Sequence, residues 1–201
     1  LNQMKTNGYE IILASGSPRR SHLLAATGFQ FEVIPADMKE IVIEGEPADQ
    51  MVSRLSEEKG SLISDQYSSS LVLAADTCVV LDDHILGKPT SFDDAVFMLK
   101  RLRNRRHIVH TGIALLHKDS GRTVTKVETT YVDFAPVSDD EIHEYVKGGS
   151  PMDKAGGYGI QDDRGAFFVR GIEGDFYNVM GLPLHRLYVT LRTDFKDLIT
   201  G

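Results

Sequence analysis

Four stretches of the chain carry polar side chains at spacings that could do chemistry, and each requires a particular kind of partner. Ser15-Gly16-Ser17-Pro18-Arg19-Arg20 sets hydroxyls and guanidinium groups around a small-residue turn, directly ahead of a helical pattern. Backbone N–H groups at a helix start, with serine hydroxyls and guanidinium forks beside them, can cradle phosphate oxygens. The stretch lacks the G-x-x-x-x-G-K-S/T spacing of a Walker A loop. An ordinary turn with solvated arginines is the competing reading, weakened because cations in a first helical turn oppose the helix dipole. Asp76 is the one carboxylate in Ala74-Ala75-Asp76-Thr77-Cys78-Val79-Val80, an otherwise apolar strand pattern. An unpaired buried carboxylate is costly, so Asp76 should meet a metal ion, a cation or water. Capping of a neighbouring backbone N–H is the structural alternative.

Gly87-Lys88-Pro89 could aim an ammonium group at phosphates from a fixed loop. In Gly156-Gly157-Tyr158-Gly159-Ile160-Gln161 the glycines let backbone approach a ligand, and the Gln161 amide can both donate and accept at a base edge. A glycine-rich loop with no ligand is the alternative there. Other polar residues read blandly. Ser17 has no evident Asp and His partners for a triad, and the histidines lack the i, i+4 pairing of a zinc helix. Arg101, Arg103, Arg105 and Arg106 follow Asp93 and Asp94 and read as a solvated helix end, without the aromatic interleaving of an RNA-binding patch. Cys78 reads as a small core residue.

Composition narrows the partners. The chain has 201 residues, 41% hydrophobic and 25% charged, which is a folded composition. Its 22 Lys and Arg against 29 Asp and Glu give a net charge of −7. The average field therefore repels nucleic acids and anionic membranes, neither of which is an expected partner, and an anionic ligand needs a locally basic site. A single cysteine makes no internal disulfide and predicts a reducing, cytoplasmic setting. No segment approaches the ~20 apolar residues of a membrane span, and Leu1–Gly8 lacks a signal peptide's apolar run. Residues 1–201 read as a single domain, with Leu1–Gly8 as a flexible N-terminal extension.

The elements that must position these residues follow from periodicity. Glu10–Ala14 predicts a strand, Arg19–Thr27 a helix with Pro18 in its first turn and Gly28 as its stop, and Phe29–Pro35 a second strand. A helix is expected from Glu46-Pro47 to about Ser64 and the most apolar strand over Leu71–Leu81, with a short return strand at Ile85-Leu86. Asp93–Leu102 is amphipathic at helical spacing. Ile108–His117 and Thr123–Phe134 read as paired long strands around Asp119-Ser120-Gly121, and Ser138 with Glu141 as a capping box. Gly148–Gly174 resists assignment, and Pro183–Leu191 predicts a last helix. Strands alternating with helices imply one α/β domain with a mixed sheet.

Taken in order, these pieces resemble the Maf family of nucleoside triphosphate pyrophosphatases. The resemblance runs through Leu13–Arg20, Asp37-Met38-Lys39-Glu40, Glu58-Lys59, Ala75-Asp76-Thr77, Ile85–Pro89, His110-Thr111-Gly112, Lys154–Gln161 and Gly171–Pro183. It implies an inosine-triphosphatase-like fold, with a long mixed sheet and two α/β lobes flanking a nucleotide cleft, commonly as a homodimer. It also implies hydrolysis of a nucleoside triphosphate to monophosphate and pyrophosphate with Mg²⁺ or Mn²⁺, serving nucleotide-pool house-cleaning. Matched by position, Asp76 stands at the family's proton acceptor or metal carboxylate, and Glu40 at a second metal-binding acid. Arg19, Arg20, Lys59 and Lys88 match phosphate-facing cations, beside Ser15 and Ser17.

Arg19, Thr77 and Gln161 together resemble the branch acting on dTTP and UTP, whereas the branch acting on 7-methyl-GTP typically has a tryptophan in the first motif and this chain has none. Asp162-Asp163 follows Gln161 where the family more usually has glycine, a departure that bears on the shape of this loop and on base preference. Two other readings stand beside this one. A regulator of septum formation that binds nucleotide without hydrolysis would have no need of both Glu40 and Asp76 at a metal. A purine-directed enzyme for ITP, XTP or 7-methyl-GTP would differ in substrate.

Overall fold

The computed structural model describes residues 5–6, 10–41, 43–161 and 164–200. In chain order their strands and α-helices are β1 (Lys5–Thr6), β2 (Ile11–Leu13), α1 (Pro18–Ala26), β3 (Glu32–Val33), α2 (Ala48–Ser64), β4 (Leu71–Leu81), β5 (His84–Leu86), α3 (Phe92–Leu102), β6 (Arg106–His117), β7 (Arg122–Phe134), α4 (Asp139–Lys147), β8 (Val169–Glu173), α5 (Phe176–Met180), α6 (Leu184–Asp194) and β9 (Ile199–Thr200). Among the described residues, seven strands form a sheet in the order β3-β2-β4-β6-β7-β8, with β5 alongside β4. The sheet is mixed: β2 runs parallel to β3 and to β4, whereas β5 is antiparallel to β4 and β8 to β7. The chain thus adopts the α/β class with a mixed sheet. β1 and β9 form a separate antiparallel pair; of the extension expected over Leu1–Gly8, the other residues lie outside the described ones. No helix among the described residues is long and apolar enough to cross a membrane.

The chain divides into two compact units, the first Leu1–Asp76, Thr111–Glu128 and Gly181–Gly201, the second Thr77–His110 and Thr129–Met180. Three of the four divisions fall inside β4, β6 and β7, and the fourth follows α5. In the first unit, Ile12, Ala14, Ile63, Val72, Ala74, Ala114 and Leu116 form a buried cluster. Pro18 opens α1, where its missing N–H costs nothing, and Gly28 follows the helix at φ +83, a conformation that glycine adopts without a Cβ clash. α2 lies close against β6, because a Cβ on Gly112 would stand 2.3 Å from the Val52 carbonyl oxygen. The expected strand over Phe29–Pro35 shrinks to exposed Glu32–Val33. Only Phe29 in that stretch is buried, and Pro35, without an N–H, cannot extend the ladder.

The second unit packs Val79, Leu81, Leu99, Leu102, Phe134, Ile142 and Tyr158 into its core. Ser91 accepts the Asp94 N–H at the start of α3, and Ser138 and Glu141 form the expected capping box on α4. Gly148–Gly174, unassignable from periodicity, consists largely of short 3-10 turns leading into β8.

Candidate active site

The first unit carries seven of the residues singled out by sequence, Ser15, Ser17, Arg19, Arg20, Glu40, Lys59 and Asp76. The Ser15–Arg20 turn leads from β2 into α1, and Ser15 is buried in it. The Ser15 hydroxyl accepts the Ser17 N–H at 3.3 Å and Arg20 Nη1 at 3.1 Å, while Arg20 Nε donates to the Gly181 carbonyl at 2.8 Å. Arg20 is therefore an oriented cation, half-buried and tied from two directions, rather than a solvated one. Burial pulls its pKa down from the ordinary arginine value, opposed by the Asp76 charge, reinforced by Arg19 and opposed again by Glu40. Arginine stays charged in proteins, so the direction records the cost of holding a cation away from water.

Lys59, near the middle of the second half of α2, meets both carboxylates that the resemblance implicates. Its Nζ donates to Asp76 Oδ1 at 2.5 Å and pairs with Glu40 Oε1 at 2.7 Å. The Lys59 and Asp76 side chains are 13% and 12% exposed and that of Glu40 is 54% exposed, so Asp76 is the inner carboxylate and Glu40 the outer. Of the partners expected for a carboxylate in so apolar a strand, Asp76 has a cation. Two carboxylates on one ammonium leave one negative charge over, with Arg20 in electrostatic range of both and Arg19 in range of Arg20.

The donor set suits a hard divalent cation. Mg²⁺ and Mn²⁺ take oxygen ligands, and Mg²⁺ is commonly held by one or two carboxylates with phosphate and water completing the shell. Among the described residues there is no group of three or more His, Cys, Asp or Glu able to hold a metal, so Glu40 and Asp76 make a pair rather than a full cage.

The second unit carries the remaining candidates. Thr77 is half-buried in β4, Lys88 is exposed in the loop after β5, and Gln161 is half-buried at the end of the glycine-rich segment. That segment is pinned just before Gln161. Tyr158 is buried, with its hydroxyl 2.6 Å from His107 Nε2, and the Gly159 N–H donates to the Tyr145 hydroxyl at 3.1 Å. The backbone packs tightly as well, since a Cβ on Gly165 would stand 2.3 Å from the Gly159 carbonyl oxygen. Burial pushes the His107 imidazole down to about 4, partly opposed by the Asp133 charge, and raises the Tyr158 phenol far above its usual range. Asp162-Asp163 lies outside the described residues.

Sequence reasoning does not single out two arrangements found here. His107 and Tyr158 are separated by 51 residues, and although Tyr158 stands in the glycine-rich stretch, nothing in that pattern points to His107. Arg54 binds Glu46 and Glu58, and of these contacts only the i, i+4 spacing to Glu58 is visible in the sequence.

Residues 10–194 match the model of the Maf-like protein family. A dTTP/UTP pyrophosphatase of Salinibacter ruber is 50% identical over 94% of this chain and 93% of its own length. Those of Syntrophus aciditrophicus, at 48% over 91% and 89%, and Symbiobacterium thermophilum, at 45% over 96% and 97%, are similar throughout. The solved structure of the Staphylococcus aureus Ham1 protein aligns at 17% identity over 63% of this chain and 72% of that one, with a TM-score of 0.40. With the family pattern matched from β2 to the end of α6, and relatives this similar along nearly their whole length, the chain belongs to the Maf family.

Proposed function

We propose that this protein is a nucleoside triphosphate pyrophosphatase that hydrolyses dTTP and UTP to the monophosphate and pyrophosphate. The observation that carries the proposal is Lys59 held between Asp76 and Glu40, in electrostatic range of an Arg20 oriented by Ser15, in a Maf chain whose relatives are named dTTP/UTP pyrophosphatases. Attack of water on the α-phosphorus with pyrophosphate leaving needs positioning and charge neutralisation more than a covalent nucleophile. In this reading Arg19 and Arg20, with the hydroxyls of Ser15 and Ser17, take the phosphates, and Lys88 adds a further cation. Lys59 orients the Asp76 carboxylate, which accepts the proton of the attacking water. Glu40 and Asp76 would hold Mg²⁺ or Mn²⁺, which when bound supplies positive charge to the phosphate oxygens.

Base choice falls to Gln161, Thr77 and Arg19. Thymine and uracil present an N3–H donor flanked by carbonyls, and one primary amide can accept from the first while donating to the second. Arg19 only donates and so favours a carbonyl over the cytosine amino group. A homodimer and a cytoplasmic, house-cleaning setting belong to the same reading by family resemblance.

Pyrophosphate release tests it, measured for dTTP, UTP, CTP, ITP and 7-methyl-GTP with Mg²⁺ or Mn²⁺ and with chelator. Steady release from dTTP and UTP, weaker release from CTP and little from the purines is the expected result. Binding without release from any nucleotide would make the protein a sensor, and preference for ITP or 7-methyl-GTP would overturn the base assignment.

A further inference from the structure

Glu40 lies in the segment between β3 and α2, and apolar burial does little to hold it: Ile41 is 65% and Ile43 50% exposed. A polar clamp does so instead. Arg54, on α2, donates from Nε to Glu46 Oε1 at 2.7 Å and from Nη2 to Glu46 Oε2 at 2.6 Å, a fork-on-fork pair. The same Nη2 reaches the Ile41 carbonyl at 3.0 Å, and Nη1 reaches Glu58 Oε1 at 3.0 Å. One guanidinium thereby ties both Ile41 and Glu46 to its own helix. Arg54 and Glu46 are largely withdrawn from water, at 22% and 11% side-chain exposure. They line a groove of about 1050 Å³ along the α2 face, together with Met38, Gln50 and Glu58. The Arg54 hydrogen bond lowers the Glu46 carboxyl below its usual range.

We infer that Arg54 is a positioning residue for Glu40: by fixing the backbone at Ile41 onto α2, it sets the Glu40 carboxylate against the Lys59 that the same helix carries, and so preorganises the outer ligand for a divalent cation. Arg54 itself touches neither Glu40 nor Asp76 in any of these contacts, so its effect passes through the backbone. This inference rests on the proposed role of Glu40 and adds to it the device that holds Glu40 in place.

Charge provides the discriminating test. Removing a cation near a metal site strengthens divalent-cation binding by simple electrostatics, whereas loss of a positioning residue weakens it. Mn²⁺ alone is titrated into the purified protein and its free fraction followed by electron paramagnetic resonance, for the parent, Arg54→Met, Arg54→Lys, Glu46→Gln, Glu40→Gln and the Glu40→Gln/Arg54→Met pair. Expected is roughly a tenfold weaker Mn²⁺ affinity in Arg54→Met, a loss of the kind typical of outer-shell partners. Glu46→Gln should show the same direction, and Arg54→Lys, which keeps the charge and loses the fork, should fall between. The double variant should bind as weakly as Glu40→Gln alone, because both changes remove one ligand. Unchanged or tighter Mn²⁺ binding in Arg54→Met and Glu46→Gln, with Glu40→Gln weakened, overturns the clamp and leaves the Glu40 role standing. Additive losses in the double variant also overturn it. Unchanged affinity in Glu40→Gln overturns the metal role of Glu40, and the clamp with it. Glu46→Gln, a near-isosteric change, keeps the test decisive should Arg54→Met fail to fold.

Discussion

His107 should make the stability of this protein fall as pH drops from 6.5 towards 4. The residue is 1% exposed, its Nε2 engages the Tyr158 hydroxyl, and its ring stacks edge-on against Tyr158 at 5.4 Å. Burial holds the imidazole at about 4 against an ordinary 6.5. Above pH 6.5 the ring is neutral whether the chain is folded or not, and His107 contributes no pH dependence. Below 6.5 the unfolded chain takes up a proton that the folded one refuses, so unfolding becomes easier by about 1.4 kcal/mol per pH unit. The slope ends near pH 4, where the folded state also protonates. The accumulated loss at pH 4.5 is about 2.5 kcal/mol, a large part of a typical net stability of ~5–15 kcal/mol. Urea unfolding followed by circular dichroism at pH 7.0, 6.0, 5.0 and 4.5 measures it in the parent and in His107→Gln, which offers Tyr158 a polar partner and does not titrate. Carboxylates contribute to both proteins alike, so the difference between the two curves isolates the imidazole. Those curves should converge by about 2.5 kcal/mol between pH 7.0 and 4.5. Parallel curves would refute the buried neutral imidazole.

Three further perturbations bear on the site and its support. Asp76→Asn should lower pyrophosphate release at least 100-fold, since the amide is nearly isosteric but accepts no proton and binds metal poorly; turnover within a few-fold of the parent would remove Asp76 from the reaction. Gly112→Ala should cost roughly 1–3 kcal/mol by urea unfolding, because the new methyl meets the rigid α2 backbone rather than a flexible side chain; a parent-like midpoint would refute the close approach. Gln161→Glu keeps acceptors and loses the amide donor, so kcat/KM should fall selectively for dTTP and UTP, whereas an equal fall across all nucleotides would place Gln161 away from the base.

The elements written in local chemistry were legible. The apolar run Leu71–Leu81 is β4 residue for residue, Ser138 and Glu141 close their capping box, and the proline and glycine around α1 stand where turn and stop require them. What stayed hidden depends on distant partners. Asp76 calls for a metal ion, a cation or water, but nothing in the local pattern around Lys59 identifies it as the residue that meets Asp76 from 17 positions earlier. The Tyr158 contact to His107 spans 51 residues, and glycine spacing around it carries no trace of that pairing. Phe29–Pro35 read as a strand because hydropathy alone cannot tell that only Phe29 is buried there.

His110-Thr111-Gly112 resists a chemical explanation from sequence, and packing supplies one for its glycine. Lys59 can reach Asp76 only if α2 lies within a lysine side chain's length of the sheet, and its ammonium stands 2.5 Å from the strand carboxylate. Closeness is built in at two points. Gly112 on β6 lets the Val52 carbonyl of α2 approach to within what would be 2.3 Å of a Cβ, and Gly60 on α2 faces Leu116 of β6 and Ala74 of β4. A side chain at Gly112 meets the α2 backbone, which cannot yield by rotation, and one at Gly60 meets the Leu116 side chain on β6. The helix so seated presents Arg54 to the segment ahead of it and Lys59 to both carboxylates. Missing Cβ atoms on one helix and its neighbouring strand thereby set the distance at which the charged cluster forms, which makes Gly112 part of the site's construction although it offers no functional group.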